Sequence, residues 1–150
     1  MNLSLKQQKL IDAGESVMKN GYDPYSSFYV GSALLTHKGT VYVGANINTC
    51  SYGGLCAERV AIGTAVTHGE YVFEAIAVIS KSDFFDVKEL SGPCGICRQI
   101  LWEFSELACR DIEILISDTK KQHILVTSIK NLHPLGFGPR LCEANIEKYL

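Results

Sequence analysis

Two stretches decide how this chain is organised: Cys56-Ala57-Glu58-Arg59 and Pro93-Cys94-Gly95-Ile96-Cys97-Arg98-Gln99. Cys94 and Cys97 have the C-x-x-C spacing that lets two thiolates reach one metal ion from a single turn. A third thiolate from Cys56 leaves one position of a tetrahedral zinc ion open. Because an open position is typical of catalysis, we expect these three cysteines to hold a catalytic Zn²⁺.

The thiols also allow other interpretations. A C-x-x-C pair can be a redox pair or half of a structural zinc site, and a cysteine elsewhere can be a small buried hydrophobe. A structural site normally closes its fourth position, and with no second C-x-x-C in the sequence only Cys50 or His68 would be left to do so. The combination with Ala57-Glu58 and Pro93 favours catalysis, because it coincides with the pattern of zinc deaminases.

The residues beside the ligands suggest acid and base chemistry. Glu58 lies two residues after Cys56, about 200° around a helix from it, so its carboxylate is held near the metal without sharing the coordination face. Such a carboxylate can take a proton from an activated water and return it to a leaving nitrogen. Arg59 and Arg98 are expected to offset the negative charge of three thiolates.

Both ligand stretches are expected to open helices, since Cys56 follows a polar, glycine-bearing loop and Pro93 stiffens the entry to Cys94. At that position the positive helix end favours thiolate over thiol. The predicted helices are 4–19, 56–68 and 94–106, and the predicted strands are 28–36, 40–47, 73–80, 112–117 and 123–129. This order, α β β α β α β β, predicts an α/β fold with helices on the faces of a mixed sheet.

Some details of packing follow from the same patterns. Residues 73–80 are almost continuously apolar, which is typical of a strand covered on both faces with a parallel partner. The helix at 94–106 should bury Ile96, Ile100, Leu101 and Phe104. The tail at 132–140 is too rich in proline and glycine to be helical.

Composition narrows the class of protein. With 150 residues, 47% hydrophobic and 20% charged, we expect one globular domain over 1–150. The net charge of -2 and the scattered basic residues argue against a nucleic-acid partner. The first residues lack the apolar core of a secretory signal and no apolar run reaches a membrane span, so we expect a cytoplasmic protein with reduced thiols and no membrane partner.

Several separate motifs carry a family resemblance. From residue 23 to 140 the chain resembles the small-subunit, three-cysteine cytidine deaminases. Besides 56–62 and 93–99, the matching stretches are Pro24-Tyr25-Ser26-Ser27-Phe28-Tyr29-Val30-Gly31-Ser32-Ala33-Leu34, Gly44-Ala45-Asn46-Ile47 and Leu135-Gly136-Phe137-Gly138-Pro139. The resemblance implies a three-layer α/β/α fold with a roughly five-stranded sheet and a nucleoside substrate in pyrimidine salvage, cytidine or deoxycytidine.

The resemblance also implies roles for single residues. Zinc would lie on Cys56, Cys94 and Cys97, Glu58 would shuttle protons as water attacks C4 and ammonia leaves, and Arg59, Arg98 and Gln99 would stand behind the ligands. The implied substrate contacts are the Ala57 backbone and Phe28 at the pyrimidine, Asn46 at a ribose hydroxyl, and Phe137 on the base of a neighbouring subunit in a homotetramer. Without the resemblance, Phe28 could be plain core and Phe137 any oligomer contact.

One departure concerns the sugar. The family usually reads Asn-Val-Glu-Asn where this chain reads Asn46-Ile47-Asn48-Thr49, and the loop to Cys56 is one residue shorter. A neutral Asn48 in place of the ribose carboxylate costs on the order of 1 kcal/mol, about five- to tenfold in binding. Blasticidin S deaminases share the zinc motifs and also lack this glutamate, so they are the alternative. Arg59 and the tail favour cytidine.

Two further classes compete with a nucleoside deaminase. A non-catalytic, zinc-stabilised binding domain would not need Glu58, and a polynucleotide deaminase would need strong, salt-dependent binding to single strands. The net charge of -2 argues against a polynucleotide deaminase.

Overall fold

The computed structural model describes residues 3–87 and 89–150. The helices are α1 Leu5–Met18, α2 Ala57–Thr67, α3 Gly95–Leu107 and α4 Ile129–Leu132. The strands are β1 Phe28–Thr36, β2 Val41–Ala45, β3 Phe73–Ser82, β4 Glu113–Asp118 and β5 Ile124–Ser128, and 3₁₀ turns follow at Pro139–Cys142 and Glu147–Tyr149. The predicted order of helices and strands is confirmed, with α4 and the two 3₁₀ turns added.

The five strands form one mixed sheet in the order β2-β1-β3-β4-β5. β1 pairs antiparallel with β2 and β3, β4 pairs antiparallel with β5, and β3 and β4 run parallel. The parallel pair follows from the chain itself, because α3 crosses over between the two strands. The predicted parallel partner of β3 is confirmed.

Two hydrophobic cores lie on opposite faces of the sheet. On one face α1 packs against β1, β3 and β4, and Ala75, Ala77 and Ile79 of β3 point toward it. On the other face α2 and α3 pack over Ile76 and Ile114. The protein is therefore the expected three-layer α/β/α sandwich. None of the helices in the described ranges is long and apolar enough to cross a bilayer.

The two cysteine-bearing stretches are positioned by the N-termini of α2 and α3. Ser4 and Gln7 form a capping box at α1. Cys56 and Cys94 are the N-cap residues of α2 and α3. Both sulfurs therefore lie at a helix N-terminus, where the backbone N–H groups favour a thiolate.

The first turn of α2 lies unusually close to strand β2. A Cβ built on Gly44 in β2 would lie 2.3 Å from the Ala57 carbonyl oxygen and 2.6 Å from the Ala61 nitrogen. Only glycine lets the first turn of α2 come this near to β2. The height of Cys56 over the sheet is thereby fixed.

Two packing predictions were wrong in part. Ile96 was expected in the buried face of α3 but is 60% exposed, whereas Cys97 and Leu101 are fully buried. Ile96 occupies the turn between the ligands Cys94 and Cys97, and because Cys97 faces inward its neighbour faces out. The tail was expected to lack helix, yet Pro139–Cys142 is a 3₁₀ turn that begins with proline, whose fixed φ suits a first helical position.

Candidate active site

Three cysteine sulfurs meet between the N-termini of α2 and α3. Cys56 Sγ lies 3.6 Å from Cys94 Sγ, and Cys94 Sγ lies 3.5 Å from Cys97 Sγ. All three sulfurs lie within 4.8 Å of one another, and no other such group of three metal-binding side chains occurs among residues 3–87 and 89–150. The structure thus brings together the three ligands expected from the sequence.

The spacing of these sulfurs suits a zinc ion. Zinc–sulfur bonds of ~2.3 Å in a tetrahedron put neighbouring sulfurs about 3.8 Å apart, close to the two separations above. No disulfide joins them, since all six cysteines are free. The cluster offers three soft sulfur donors and, among the described residues, no fourth His, Cys, Asp or Glu. This is the donor set of a zinc site that keeps one coordination position open.

The thiols differ in acidity. Burial is the main cause that raises the pKa of Cys97, and it also raises the pKa of Cys56. Burial acts the same way on Cys94, but hydrogen bonds from the backbone and side chain of Cys97 lower its pKa below the ordinary value. The lowering expected at the two helix N-termini is therefore seen at Cys94, whereas at Cys56 burial outweighs it.

Arg59 supplies the positive charge nearest the thiols. Its Nη2 donates to the Gly54 carbonyl at 2.8 Å and lies 3.6 Å from Cys56 Sγ. The hydrogen bond to Cys56 is the largest cause that raises the pKa of Arg59, so the guanidinium stays charged beside the sulfur. Arg98 points elsewhere, since its Nη1 donates to the Leu132 carbonyl at 3.1 Å.

Glu58 is a buried carboxylic acid beside this cluster. Only 4% of the residue is exposed. Burial raises the pKa of its carboxyl, although hydrogen bonds from its own backbone N–H and from Cys97 lower it in part. A carboxyl group whose pKa is raised toward neutral pH accepts a proton more readily and can return it, which is the property that general acid and base catalysis requires.

A cavity of about 310 Å³ opens onto the cluster. Its wall includes Cys56, Glu58 and Arg59 from the start of α2 and Phe28, Asn46 and Asn48 from the ends of β1 and β2. Val30, Ala57 and Val78 also line it, and Cys94 closes it from α3. The volume is at the small end of the usual range for a ligand site, so it suits a compact molecule that presents an apolar face and a few polar groups.

The polar end of the cavity is built from the ends of β1 and β2. Asn46 Oδ1 accepts from the Val30 backbone at 2.9 Å, and Asn46 Nδ2 donates to the Phe28 carbonyl at 2.9 Å. Asn46 keeps one amide hydrogen and one lone pair for a ligand. The following loop is closed by paired backbone bonds between Ile47 and Leu55, at 3.0 and 2.9 Å.

Sequence reasoning missed Asp23. No role was predicted for this residue, yet it is only 2% exposed and lines the same cavity as Asn48. Burial by itself would raise the pKa of Asp23, but hydrogen bonds from Ser26 and Phe28 outweigh that effect and lower it. The signal in the sequence was an acidic residue directly before the Pro24-to-Leu34 motif.

Two predicted residues lie outside the cavity wall. Phe137 is 63% exposed on the tail. Gln99 Nε2 donates to the Phe137 carbonyl at 2.8 Å, and Gln99 Oε1 lies 3.1 Å from His133 Nε2. Gln99 thus ties the tail to α3 rather than contacting a thiol. The role of Phe137 toward a neighbouring subunit stays a prediction.

Residues 4–109 match the family model of the cytidine and deoxycytidylate deaminase zinc-binding region. This range holds all three thiols and Glu58. The match agrees with the donor set described above and confirms the expectation of zinc as cofactor.

The chain is also similar to individual known proteins. A cytidine deaminase of Sporosarcina psychrophila is 42% identical over 132 residues, covering 87% of this chain and 90% of the relative. A Bacillus cereus blasticidin-S deaminase is 28% identical over 142 residues, covering 91% and 95%. The crystal structure of a cytidine deaminase from Burkholderia pseudomallei superposes with a TM-score of 0.76 at 34% identity, over 90% of this chain and 100% of the other.

Proposed function

The chain belongs to the cytidine and deoxycytidylate deaminase family, and from that premise we propose that it hydrolyses cytidine and deoxycytidine to uridine and deoxyuridine with release of ammonia. The observation that carries the proposal is Glu58, a buried carboxyl group on the wall of a cavity that is also lined by Cys56 and Cys94, two members of the three-thiol cluster. The motif resemblance seen in the sequence is confirmed.

The residues divide the reaction between them. Zinc on Cys56, Cys94 and Cys97 would act as a Lewis acid that makes water nucleophilic at neutral pH. The Glu58 carboxylate accepts a proton from the attacking water and delivers a proton to the departing amino nitrogen, which leaves as ammonia. Arg59 offsets part of the negative charge of Cys56, which it contacts.

The cavity wall orients the base. Phe28 and Val78 offer apolar surface to a flat pyrimidine, and the Ala57 backbone lies beside the ligand Cys56. Asn46 has a free amide hydrogen for a sugar hydroxyl. Ala57 lines the cavity and its methyl side chain has no polar group, so a hydrogen bond from Ala57 to a ligand can come only from its backbone.

A blasticidin S-type substrate is the second candidate. Asn48, a neutral side chain, stands on the cavity wall where the family usually places glutamate. The match to the Bacillus cereus relative supports keeping this alternative, and Arg59 with the tail supports cytidine. A non-catalytic zinc domain has less support, because it gives no reason to bury the Glu58 carboxyl at the thiols.

The deciding experiment is ammonia release by the zinc-loaded protein with cytidine, deoxycytidine, cytosine and blasticidin S side by side. We expect turnover of cytidine and deoxycytidine. Reaction with the antibiotic alone would replace the proposed substrate, and no reaction with any of the four would favour the binding domain.

We also infer a homotetramer that works in the cytoplasm in pyrimidine salvage. Support for assembly comes from the large exposed side chains of Leu135, Phe137 and Leu141 on the tail. Support for a reducing compartment comes from six free cysteines. Light scattering of the purified protein measures the assembly directly, and a monomer would contradict it.

A further inference from the structure

The turn from residue 23 to residue 28 is organised by one buried carboxylate. Asp23 Oδ1 accepts from the backbone nitrogens of Tyr25 at 3.3 Å and Ser26 at 3.0 Å. Asp23 Oδ2 accepts from the Ser26 hydroxyl and from the Phe28 backbone nitrogen, the latter at 3.3 Å. These four bonds use about all the acceptor sites that a carboxylate has.

The backbone immediately before Phe28 adopts a conformation that needs support. Ser27 has φ of 50°, in the left-handed region that residues other than glycine rarely occupy. Such residues persist when their surroundings hold them in place. The Asp23 carboxylate bonds on both sides of Ser27, to Ser26 and to Phe28, and so provides that hold.

A second buried side chain holds Phe28 from the opposite side. Asn46 Nδ2 donates a hydrogen bond to the Phe28 carbonyl, while Asp23 Oδ2 accepts one from the Phe28 backbone nitrogen. Both polar groups of the Phe28 backbone are therefore bound by side chains of the cavity wall. The ring itself stacks on Phe85, with centroids 6.3 Å apart. The ring position is then determined by these three contacts.

Asn48, which stands where the sugar carboxylate is missing, lies beside the Asp23 segment. The Asn48 backbone nitrogen donates to the Tyr22 carbonyl at 2.7 Å, so the two segments run side by side. Asp23 and Asn48 both line the cavity. The turn that Asp23 organises is thereby joined to the residue where the sugar should be read.

We propose that Asp23 is a positioning residue for the substrate cavity: its carboxylate sets the Phe28 ring at the cavity wall. The inference rests on the proposed function, since Phe28 matters to a substrate only if the cavity binds a nucleoside. Asp23 acts through Phe28, and its own acceptor sites are filled.

The test compares Asp23→Asn with Asp118→Asn in the zinc-loaded enzyme. Asp118 is a matched control, because it is also buried, 7% exposed, and accepts backbone bonds from Gln122 at 3.0 Å and His123 at 3.4 Å, but it does not line this cavity. We expect Asp23→Asn to raise the KM for cytidine about tenfold while kcat changes less than about threefold. Asp118→Asn should leave KM unchanged.

A double-mutant cycle with Phe28→Ala separates positioning from a general structural role. If Asp23 acts largely through Phe28, the KM penalty of Asp23→Asn falls below about twofold in the Phe28→Ala background. Additive penalties would overturn the proposal. So would a penalty that vanishes with 3′-deoxycytidine, because that result would make Asp23 a direct ribose ligand.

Two further measurements keep the outcomes distinct. If Asp23→Asn does not fold, Ser26→Ala removes one donor to the carboxylate and should raise KM about two- to threefold, and an unchanged KM would contradict the inference. Binding of uridine by calorimetry should weaken in parallel with KM. If the wild-type protein neither deaminates cytidine nor binds uridine, the proposed function fails first; normal wild-type activity with an unaffected Asp23 variant refutes only the positioning role.

Discussion

At the scale of single residues, the site depends on two carboxyl groups with opposite protonation tendencies. Burial raises the pKa of Glu58, whereas hydrogen bonds lower the pKa of Asp23. Glu58 is therefore suited to move protons, and Asp23 is suited to stay ionised and accept hydrogen bonds. The same residue class serves chemistry in one place and geometry in the other because its neighbours differ.

Replacing Glu58 with glutamine tests the first of these roles. The amide keeps the shape and the burial but cannot accept a proton, so we expect deamination of cytidine to fall by at least ~10²-fold with zinc content and melting temperature retained. Glu70→Gln is the control, because Glu70 accepts hydrogen bonds from Thr40 and Tyr42 and does not line the cavity. Turnover of the Glu58 variant near the wild-type rate would remove Glu58 from the mechanism.

Replacing Asn48 with glutamate tests the second. A glutamate there would share the cavity wall with Asp23, whose pKa is lowered, and two carboxylates on one wall repel each other. This repulsion opposes the five- to tenfold gain in binding that a ribose carboxylate would otherwise bring, so we expect Asn48→Glu to lower the melting temperature by about 2–4 °C for each kcal/mol of repulsion and to raise the KM for cytidine rather than lower it. Asn48→Gln carries no charge and should retain most of the stability. A tighter KM in the glutamate variant would show that the gain from a ribose carboxylate outweighs this repulsion.

Sequence reasoning was limited mainly at this scale. Arg59 and Arg98 both follow a ligand cysteine, and nothing in the sequence says where either guanidinium points. The structure turns Arg59 to Cys56 and Arg98 to the Leu132 carbonyl at the end of α4. A long flexible side chain goes to the nearest unpaired acceptor, and the acceptor for Arg98 comes from a segment 34 residues away. Such long-range partners are set by the tertiary fold.

At the scale of elements, the site is a junction of two helix starts over one sheet. Both helices were predictable, because each begins at a cysteine after a loop or a proline and then repeats apolar residues at helical spacing. How closely α2 lies against the sheet was not predictable. It depends on Gly44 in β2, whose missing side chain admits the first turn of α2, and a glycine in a strand pattern does not name the element that approaches it.

The Gly44→Ala variant tests whether the protein requires this close contact between β2 and α2. The added Cβ would meet the Ala57 carbonyl at 2.3 Å, and a backbone atom has little room to move. Overpacking of this kind costs about 1–3 kcal/mol, and the shift of α2 should also reduce kcat because Cys56 and Glu58 move together. Gly63→Ala is the control with the opposite sign. It lies inside α2 with no atom within 4 Å of the added Cβ, so it should stabilise the protein by about 0.5–1 kcal/mol. Equal melting temperatures for the two variants would contradict this account.

At the scale of the whole molecule, stability in acid depends on carboxylates that the fold has bound. Burial by itself would raise the pKa of Asp118, but hydrogen bonds from the His123 side chain and from the His123 and Gln122 backbones outweigh it and lower the pKa. A carboxylate whose pKa is lower in the folded state stabilises the protein above its unfolded pKa of about 3.9. That contribution is lost as the pH falls through the folded-state value.

The difference in unfolding free energy between the wild-type protein and Asp118→Asn should therefore be largest above the unfolded pKa and decrease as the pH falls. We expect a difference of about 1–3 kcal/mol from pH 5 to pH 7, and we expect it to shrink below about pH 4 as the wild-type carboxylate is protonated. Urea titrations of both zinc-loaded proteins at each pH give the two curves. A difference that grows toward low pH would mean that the folded-state pKa of Asp118 is raised.

The paired backbone bonds between Ile47 and Leu55 have a consequence for how this protein family can vary. They close residues 48–54 into a loop whose two ends are fixed to each other, while Gly44 fixes α2 to the sheet independently. A residue can be gained or lost inside that loop without moving Cys56 or Glu58, as long as the Gly54 carbonyl keeps its hydrogen bond from Arg59. The part of the wall that meets the sugar is therefore free to evolve by insertion and deletion, and a change of substrate need not disturb the chemistry of the metal site.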